Sequence, residues 1–329
     1  MIYQTIDLSQ ENLTLTAYVL DSSNEMKNAK VRPAILIFPG GGYHYCSDRE
    51  AEPIAMAYLA EGFHAFVLRY STKQNAEYPR PLNDAEEALE LIRERSQEWG
   101  VDPNKVAVCG FSAGGHLAAA LGTMGRTRPN ALILGYPWIM ESTSNLFPVA
   151  IPGVDQSVTD ATPPVFLFHT LADALVPVVH ALTFVAALEG SKVPFELHIF
   201  QNGGHGLSLA KPVTSGGFSK QVDPHAANWF GLSVSWLINQ FGNFEKGSGS
   251  IHDVAITEFS MDVPLGDLWD NLSCRQAILD ELPALANFPV DDEQIREATL
   301  RVLIGVIPDM ASSDVIDRLN QRLRDIPVV

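Results

Sequence analysis

Cysteine is scarce in this chain: three residues, Cys46, Cys109 and Cys274, among 329. Odd in number and far apart, they argue against a disulfide framework and have no metal-ligand spacing, so no metal site is expected. Basic residues are also in deficit. Lys and Arg total 22 against 39 Asp and Glu, a formal charge of −17 that repels nucleic acid and anionic membrane surfaces alike. No apolar run is long enough to span a bilayer. Residues 1–8, MIYQTIDL, carry neither a basic start nor an apolar stretch, so no signal peptide is read and the cytoplasm is the expected address. What remains is ordinary globular usage, 46% hydrophobic and 19% charged, in a chain long enough for one large core and an appendage.

The most informative stretch is VAVCGFSAGGHLAAA, residues 106–120. An apolar run suited to a buried strand passes through Gly-x-Ser-x-Gly into an Ala/Leu segment that reads as a helix. Strand, sharp turn and helix in that order form the context a nucleophile elbow requires. Gly110 and Gly114 leave room for the turn, and Ser112 stands at its tip. The competing reading is a Ser that only caps the following helix in a Gly-rich loop.

A serine hydroxyl needs a base to take its proton and an acid to orient that base. In chain order Ser, acid, His, the base is expected at His205, where the strand FELHIF ends in a Gly-rich loop, QNGGHG. His116 and His169 read as structural, His198 as lying within a strand, and His225 has no partner motif. The acid is expected at Asp173, in the loop after the apolar strand VFLFHT. It would hold the imidazole in the proton-accepting tautomer. Its other reading is a cap for a helix beginning near Pro177. Asp155 and Asp160 precede that strand and fall at the wrong end. For the oxyanion, one donor is expected from the amide of Ala113 and the rest from Pro39-Gly40-Gly41-Gly42-Tyr43, the loop after the strand AILIF. No Lys-Ser/Thr follows these glycines, which argues against a nucleotide P-loop.

Together, FPGGGY, GFSAGGHLA, DALVP and GGHGL make residues 33–241 resemble the acetyl esterase/lipase branch of the α/β-hydrolases, its carbohydrate-esterase-like members above all. The resemblance implies Ser112 as nucleophile, Asp173 as orienting acid, His205 as base, and Gly41, Gly42 and Ala113 as oxyanion donors. Pro39 stands where hormone-sensitive-lipase-like enzymes carry His before the glycines, so the chain is more similar to bacterial acetyl-xylan or feruloyl esterases. The implied activity is hydrolysis of a small-molecule short-acyl ester, acetyl on a sugar alcohol, through an acyl-enzyme and without a cofactor. A lipase, aminopeptidase or formamidase would use the same triad, and a non-catalytic binding protein would require the triad to be broken.

Strands alternating with helices across residues 13–241 predict a doubly wound, mostly parallel sheet flanked by helices. Strands are expected at 13–20, 34–38, 64–70, 131–134, 165–168 and 196–200, and helices at 51–61, 82–97, 181–188 and 229–241. The unpatterned stretch 136–164 reads as a lid or binding loop. Tyr43 beside the glycines and Tyr136 and Trp138 in that stretch are the expected substrate contacts, although core packing suits the last two equally well. The catalytic domain is read as 1–244 and a Gly/Ser linker as 245–250. Residues 251–329 are read as a small all-helical module with fifteen Asp or Glu, six Arg and no Lys. Leu265, Leu268, Trp269 and Leu272 would share one helical face in it. Ile295, Ala298, Val302 and Ile304 would lie on a second helix, and Val315, Leu319 and Leu323 on a third. Homo-oligomerisation through this module is one role open to it.

Overall fold

A computed structural model describes residues 1–10, 12–23, 25–142, 146–244, 256–307 and 311–328. The chain divides into two compact units, Met1–Gly247 and Ser248–Val329. The expected linker at 245–250 lies outside the described residues.

The first unit is built on an eight-stranded sheet: β1 (Ile2–Asp7), β2 (Thr14–Val19), β3 (Arg32–Phe38), β4 (His64–Arg69), β5 (Val101–Phe111), β6 (Ala131–Gly135), β7 (Val165–Thr170) and β8 (Phe195–Phe200). Their order across the sheet is β1-β2-β4-β3-β5-β6-β7-β8. The first two pairings are antiparallel and the rest parallel. The central strands are apolar throughout because both faces are covered. Leu36, Val108, Leu134 and Leu167 point to one side. Ile35, Ile37, Cys109, Ile133 and Phe166 point to the other.

Helices α2 (Arg80–Glu94), α4 (Ala113–Met124) and α5 (Val179–Gly190) supply Leu82, Leu89, Leu117 and Phe184 to the first layer. Helices α1 (Glu52–Ala60) and α6 (Trp229–Phe241) supply Ile54, Tyr58, Trp229 and Leu237 to the second. The expected helix 82–97 is broken after Glu94, and a short α3 (Ser96–Trp99) follows before Gly100 turns the chain at φ 63°. Sequence patterning did not reveal β1: it is exposed at all but one residue, so its side chains carry no inside-outside signal.

Parallel register brings the carboxyl ends of the central strands together. Phe38 lies opposite Gly110, Phe111 opposite Gly135, and Gly135 opposite Phe168. The loops after β3, β5, β6, β7 and β8 therefore open on one rim, where ligands of open α/β sheets bind.

The second unit holds helices α7 (Leu265–Asp270), α8 (Leu272–Glu281), α9 (Glu293–Glu297), α10 (Leu300–Val306) and α11 (Ser313–Arg324) around Leu265, Leu268, Ile278, Leu300, Leu319 and Leu323. The face expected to join Leu272 to Leu265 and Leu268 does not form. Asn271 stops α7 and caps α8 by accepting the amides of Ser273 and Cys274, which leaves Leu272 exposed. The helix expected through Ile295 and Ile304 is likewise two, because the Thr299 hydroxyl accepts from the Val302 amide and starts α10.

Candidate active site

The turn between β5 and α4 places Ser112 at φ 53° and ψ −115°, a strained backbone for a residue with a Cβ. Neighbouring hydrogen bonds hold it there. The Ser112 amide donates to Gly135 O at 3.0 Å, and its carbonyl accepts from His116 N at 3.0 Å. The turn is tight enough that only glycine fits around it. A Cβ on Gly110 would lie 2.2 Å from Gly114 O, and one on Gly114 would lie 2.1 Å from Phe38 O. The Ser112 side chain makes no cap bond to α4, so the capping alternative fails. Its Oγ lies 2.8 Å from His205 Nε2 instead.

On the other side of that imidazole, His205 Nδ1 lies 2.7 Å from Asp173 Oδ2. A carboxylate only accepts, so Nδ1 carries the hydrogen and Nε2 is free to accept from the serine. Its other oxygen, Oδ1, accepts the amides of Leu175 and Val176, each at 2.9 Å, in the turn that precedes α5; it does not cap that helix, whose N-cap is Val178 without a side-chain bond. Burial pushes the Asp173 carboxyl up. The hydrogen bond and charge of His205 and the two amides outweigh it, and hold the group below the ordinary carboxylate range.

The glycine loop turns through φ 130° at Gly41 and 62° at Gly42. The Gly40 amide is engaged, donating to Glu50 Oε2 at 2.8 Å. Among the described residues, no protein acceptor takes the amides of Gly41, Gly42 or Ala113. These glycines, Ser112 and His205 border a cavity of about 380 Å³, whose apolar wall is Trp138, Leu146, Phe147, Leu175 and Val176. No group of three or more His, Cys, Asp or Glu among the described residues is arranged to hold a metal.

Of the three expected substrate contacts, only Trp138 reaches this cavity. Tyr43 and Tyr136 are corrected: both are buried, 2% and 1% exposed, and face inward to polar partners. Tyr43 bonds to His116 Nδ1 at 2.7 Å. His116 Nε2 faces the Pro152 carbonyl at 2.9 Å and so carries the hydrogen, which makes Tyr43 the donor. Burial lowers the His116 pKa to about 4. Tyr136 donates to Glu50 Oε1 at 2.6 Å and accepts from Ser208 N at 2.9 Å.

Sequence reasoning missed Glu50, Arg49 and His180. His180 Nδ1 accepts the amides of Ile139 and Met140 at 3.0 and 3.3 Å, and its ring lies 4.4 Å from that of Trp138, bracing the cavity wall. The dipeptide Arg49-Glu50 looks like a solvated charge pair in sequence, and nothing local reveals that Glu50 is buried.

Residues 20–131 match the BD-FAE family model, and residues 144–232 match that of the prolyl oligopeptidase family. The chain is 32% identical to endo-1,4-beta-xylanase B of Butyrivibrio fibrisolvens over 57% of its own length and 34% of that protein's. It is 30% identical to the acetylxylan esterase of Xylanibacter ruminicola over 54% of its own length and 41% of that protein's. It therefore spans only about a third to two fifths of these curated relatives. Among solved structures, MGS-M1, an alpha/beta hydrolase enzyme from a Medee basin deep-sea metagenome library, is 47% identical with a TM-score of 0.70. That match covers 73% of this chain and 98% of MGS-M1. A sheet of this order, a serine at the strained turn after its central strand, and a relative matched over nearly its whole length place the chain in the α/β-hydrolase superfamily, on its esterase branch.

Proposed function

We propose that this chain is a serine carboxylesterase that removes short acyl groups, acetyl foremost, from sugar alcohols or small oligosaccharides. The observation that carries the reading is the unbroken contact sequence from Ser112 Oγ to His205 Nε2 at 2.8 Å and from His205 Nδ1 to Asp173 Oδ2 at 2.7 Å, at the edge of an open cavity. In the proposed reaction, His205 Nε2 takes the Ser112 proton as Oγ attacks the ester carbonyl. The developing oxyanion is met by the amides of Gly41, Gly42 and Ala113, each such donor contributing about 3–4 kcal/mol to the transition state. The imidazolium, stabilised by Asp173, gives its proton to the departing alcohol. Water then cleaves the acyl-enzyme with His205 as base again.

The substrate class draws on two supports. The apolar wall of Trp138, Leu146, Phe147, Leu175 and Val176 suits a small acyl group, in a cavity near the lower end of the usual ligand-site range. The similarity to an acetylxylan esterase points to acetylated sugars. Ser112→Ala is expected to lower kcat on p-nitrophenyl acetate by about 10⁶. A panel of p-nitrophenyl acetate, longer acyl esters, an acetylated xylo-oligosaccharide and an aminoacyl anilide should rank the two acetyl esters first. The match of residues 144–232 to the prolyl oligopeptidase family makes the anilide the informative rival. Faster turnover of the anilide would replace the esterase reading with a peptidase one.

A further inference from the structure

We propose that Arg49 and Glu50 act together as a positioning clamp that holds the glycine loop and the His205 loop in register, so that oxyanion donors and base meet one carbonyl correctly. The inference rests on the serine-esterase reading above. The two residues are neighbours in a single 3₁₀ turn, Asp48–Glu50, yet between them they reach both halves of the site.

Glu50 is 2% exposed, and each carboxylate oxygen accepts from a different loop. Oε2 takes the Gly40 amide at 2.8 Å, fixing the residue before Gly41 and Gly42. Oε1 takes the Tyr136 hydroxyl at 2.6 Å. That hydroxyl in turn accepts the Ser208 amide at 2.9 Å, and the Tyr136 ring packs edge-on against the His205 imidazole, centroids 5.2 Å apart. Arg49 holds the same loop from its other side. Its Nη1 donates to Gly206 O at 2.9 Å, Thr214 O at 2.8 Å and Gln221 Oε1 at 2.7 Å. Gln221 Nε2 then donates to the His205 carbonyl at 3.1 Å. The Arg49 carbonyl also accepts from the Ser208 hydroxyl.

The His205 loop needs such support. Over residues 201–211 it contains neither helix nor strand, and its backbone passes through positive φ at Gly203, Gly206, Ser208 and Ala210. A loop with so little internal hydrogen bonding holds an imidazole in place only if its carbonyls and amides are tied to something rigid. Thr170, Lys220 and Trp229 hold Gly203, Gly204 and Ser208 in part, and the remaining ties converge on one dipeptide that also anchors the oxyanion turn. Glu50 borders the cavity, but both of its oxygens are taken up by the two loops, so Glu50 and Tyr136 serve as positioning residues.

The test uses the full chain with Tyr136→Phe, Glu50→Gln and the double variant. Active sites are titrated with a fluorophosphonate, and p-nitrophenyl acetate turnover is expressed per titrated site. Tyr136→Phe keeps the ring packing and removes only the hydroxyl link. Each single variant is expected to lose about 10²-fold in kcat per titrated site, with KM unchanged, as sub-ångström to 1 Å misplacement does. The double variant should fall no further than the worse single one, because both cut one network. A merely structural role would lower the titratable fraction or the melting temperature and leave kcat per site at the parent's value, which overturns the clamp. Multiplicative losses in the double variant overturn it as well. If Glu50→Gln fails to fold, Tyr136→Phe decides alone. A parent protein that neither reacts with the fluorophosphonate nor cleaves the ester sinks the esterase reading itself, a result distinct from all of these.

Discussion

Ser112 stands at φ 53° with its Oγ directed to His205, and the strain of that backbone is what exposes the hydroxyl beyond the sheet. Asp173 divides its two oxygens between the imidazole and the turn at Leu175 and Val176. An Asp173→Asn change should therefore keep the turn, through the amide oxygen, while its N–H donates to His205 Nδ1, which shifts the imidazole hydrogen to Nε2 and removes the acceptor for the Ser112 proton. The expected result is a loss of about 10⁴ in kcat with folding retained, read by ester hydrolysis alongside circular dichroism. Full activity in that variant would remove Asp173 from the relay. Ser112, Asp173 and His205 were legible in the sequence because each follows a strand in a fixed chain order, Ser112 within Gly-x-Ser-x-Gly and His205 between two glycines. Tyr43 and Tyr136 were not, since an aromatic residue next to a turn can face cavity or core with the same sequence signature. Their left-handed backbone, φ 60° and 36°, and buried partners decide the matter. Glu50 was invisible because its partners lie 10 and 86 residues away.

Helix α4 leaves the elbow as AGGHLAAALGTM, buried along nearly its whole length, and small residues let it pack directly on β3 and β5. His116 in its first turn ties Tyr43 to the segment at Pro152, and it does so as a neutral imidazole. Its pKa, held at about 4 by burial against an ordinary 6.5, makes this connection sensitive to acid. The unfolded chain takes up a proton near pH 6.5 that the folded site refuses until about pH 4. Its contribution to stability is therefore complete above pH 6.5 and falls away between there and about pH 4, by roughly 3 kcal/mol. Urea midpoints measured across that window should drop for the parent and drop less steeply for His116→Gln; parallel slopes would show that other groups govern the acid limb. Strand and helix positions in the parallel part of the sheet were readable to within a few residues, since runs covered on both faces are uniformly apolar. Edge strand β1, mostly solvated, carried no such pattern.

Across the whole molecule, every residue assigned a role lies within Met1–Gly247, which has its own core on both faces of the sheet. Ser248–Val329 closes a separate core around Leu265, Leu268, Ile278 and Leu319. A chain ending at Phe244 is therefore expected to fold and to keep the ester turnover of the full chain, measured as kcat/KM on p-nitrophenyl acetate. A collapse of turnover in a folded truncation would assign the acidic helical unit a part in the reaction. The change in character was legible in the sequence, where Lys disappears and acidic residues dominate after residue 250. The division of helices inside that unit was not, because Asn271 and Thr299 act as caps within what reads as continuous apolar spacing.

Gly114 meets the carbonyls of Phe38 and Pro39 so closely that a methyl group would lie 2.1 and 2.5 Å from them. Main chain thus touches main chain where the serine turn meets the glycine loop, and no side chain at that seam is available for selection to adjust. Adaptation to a different ester is thereby displaced outward, to Trp138, Leu146 and Leu175 on the cavity wall. Within such a lineage, choice of substrate can drift while the chemistry stays put.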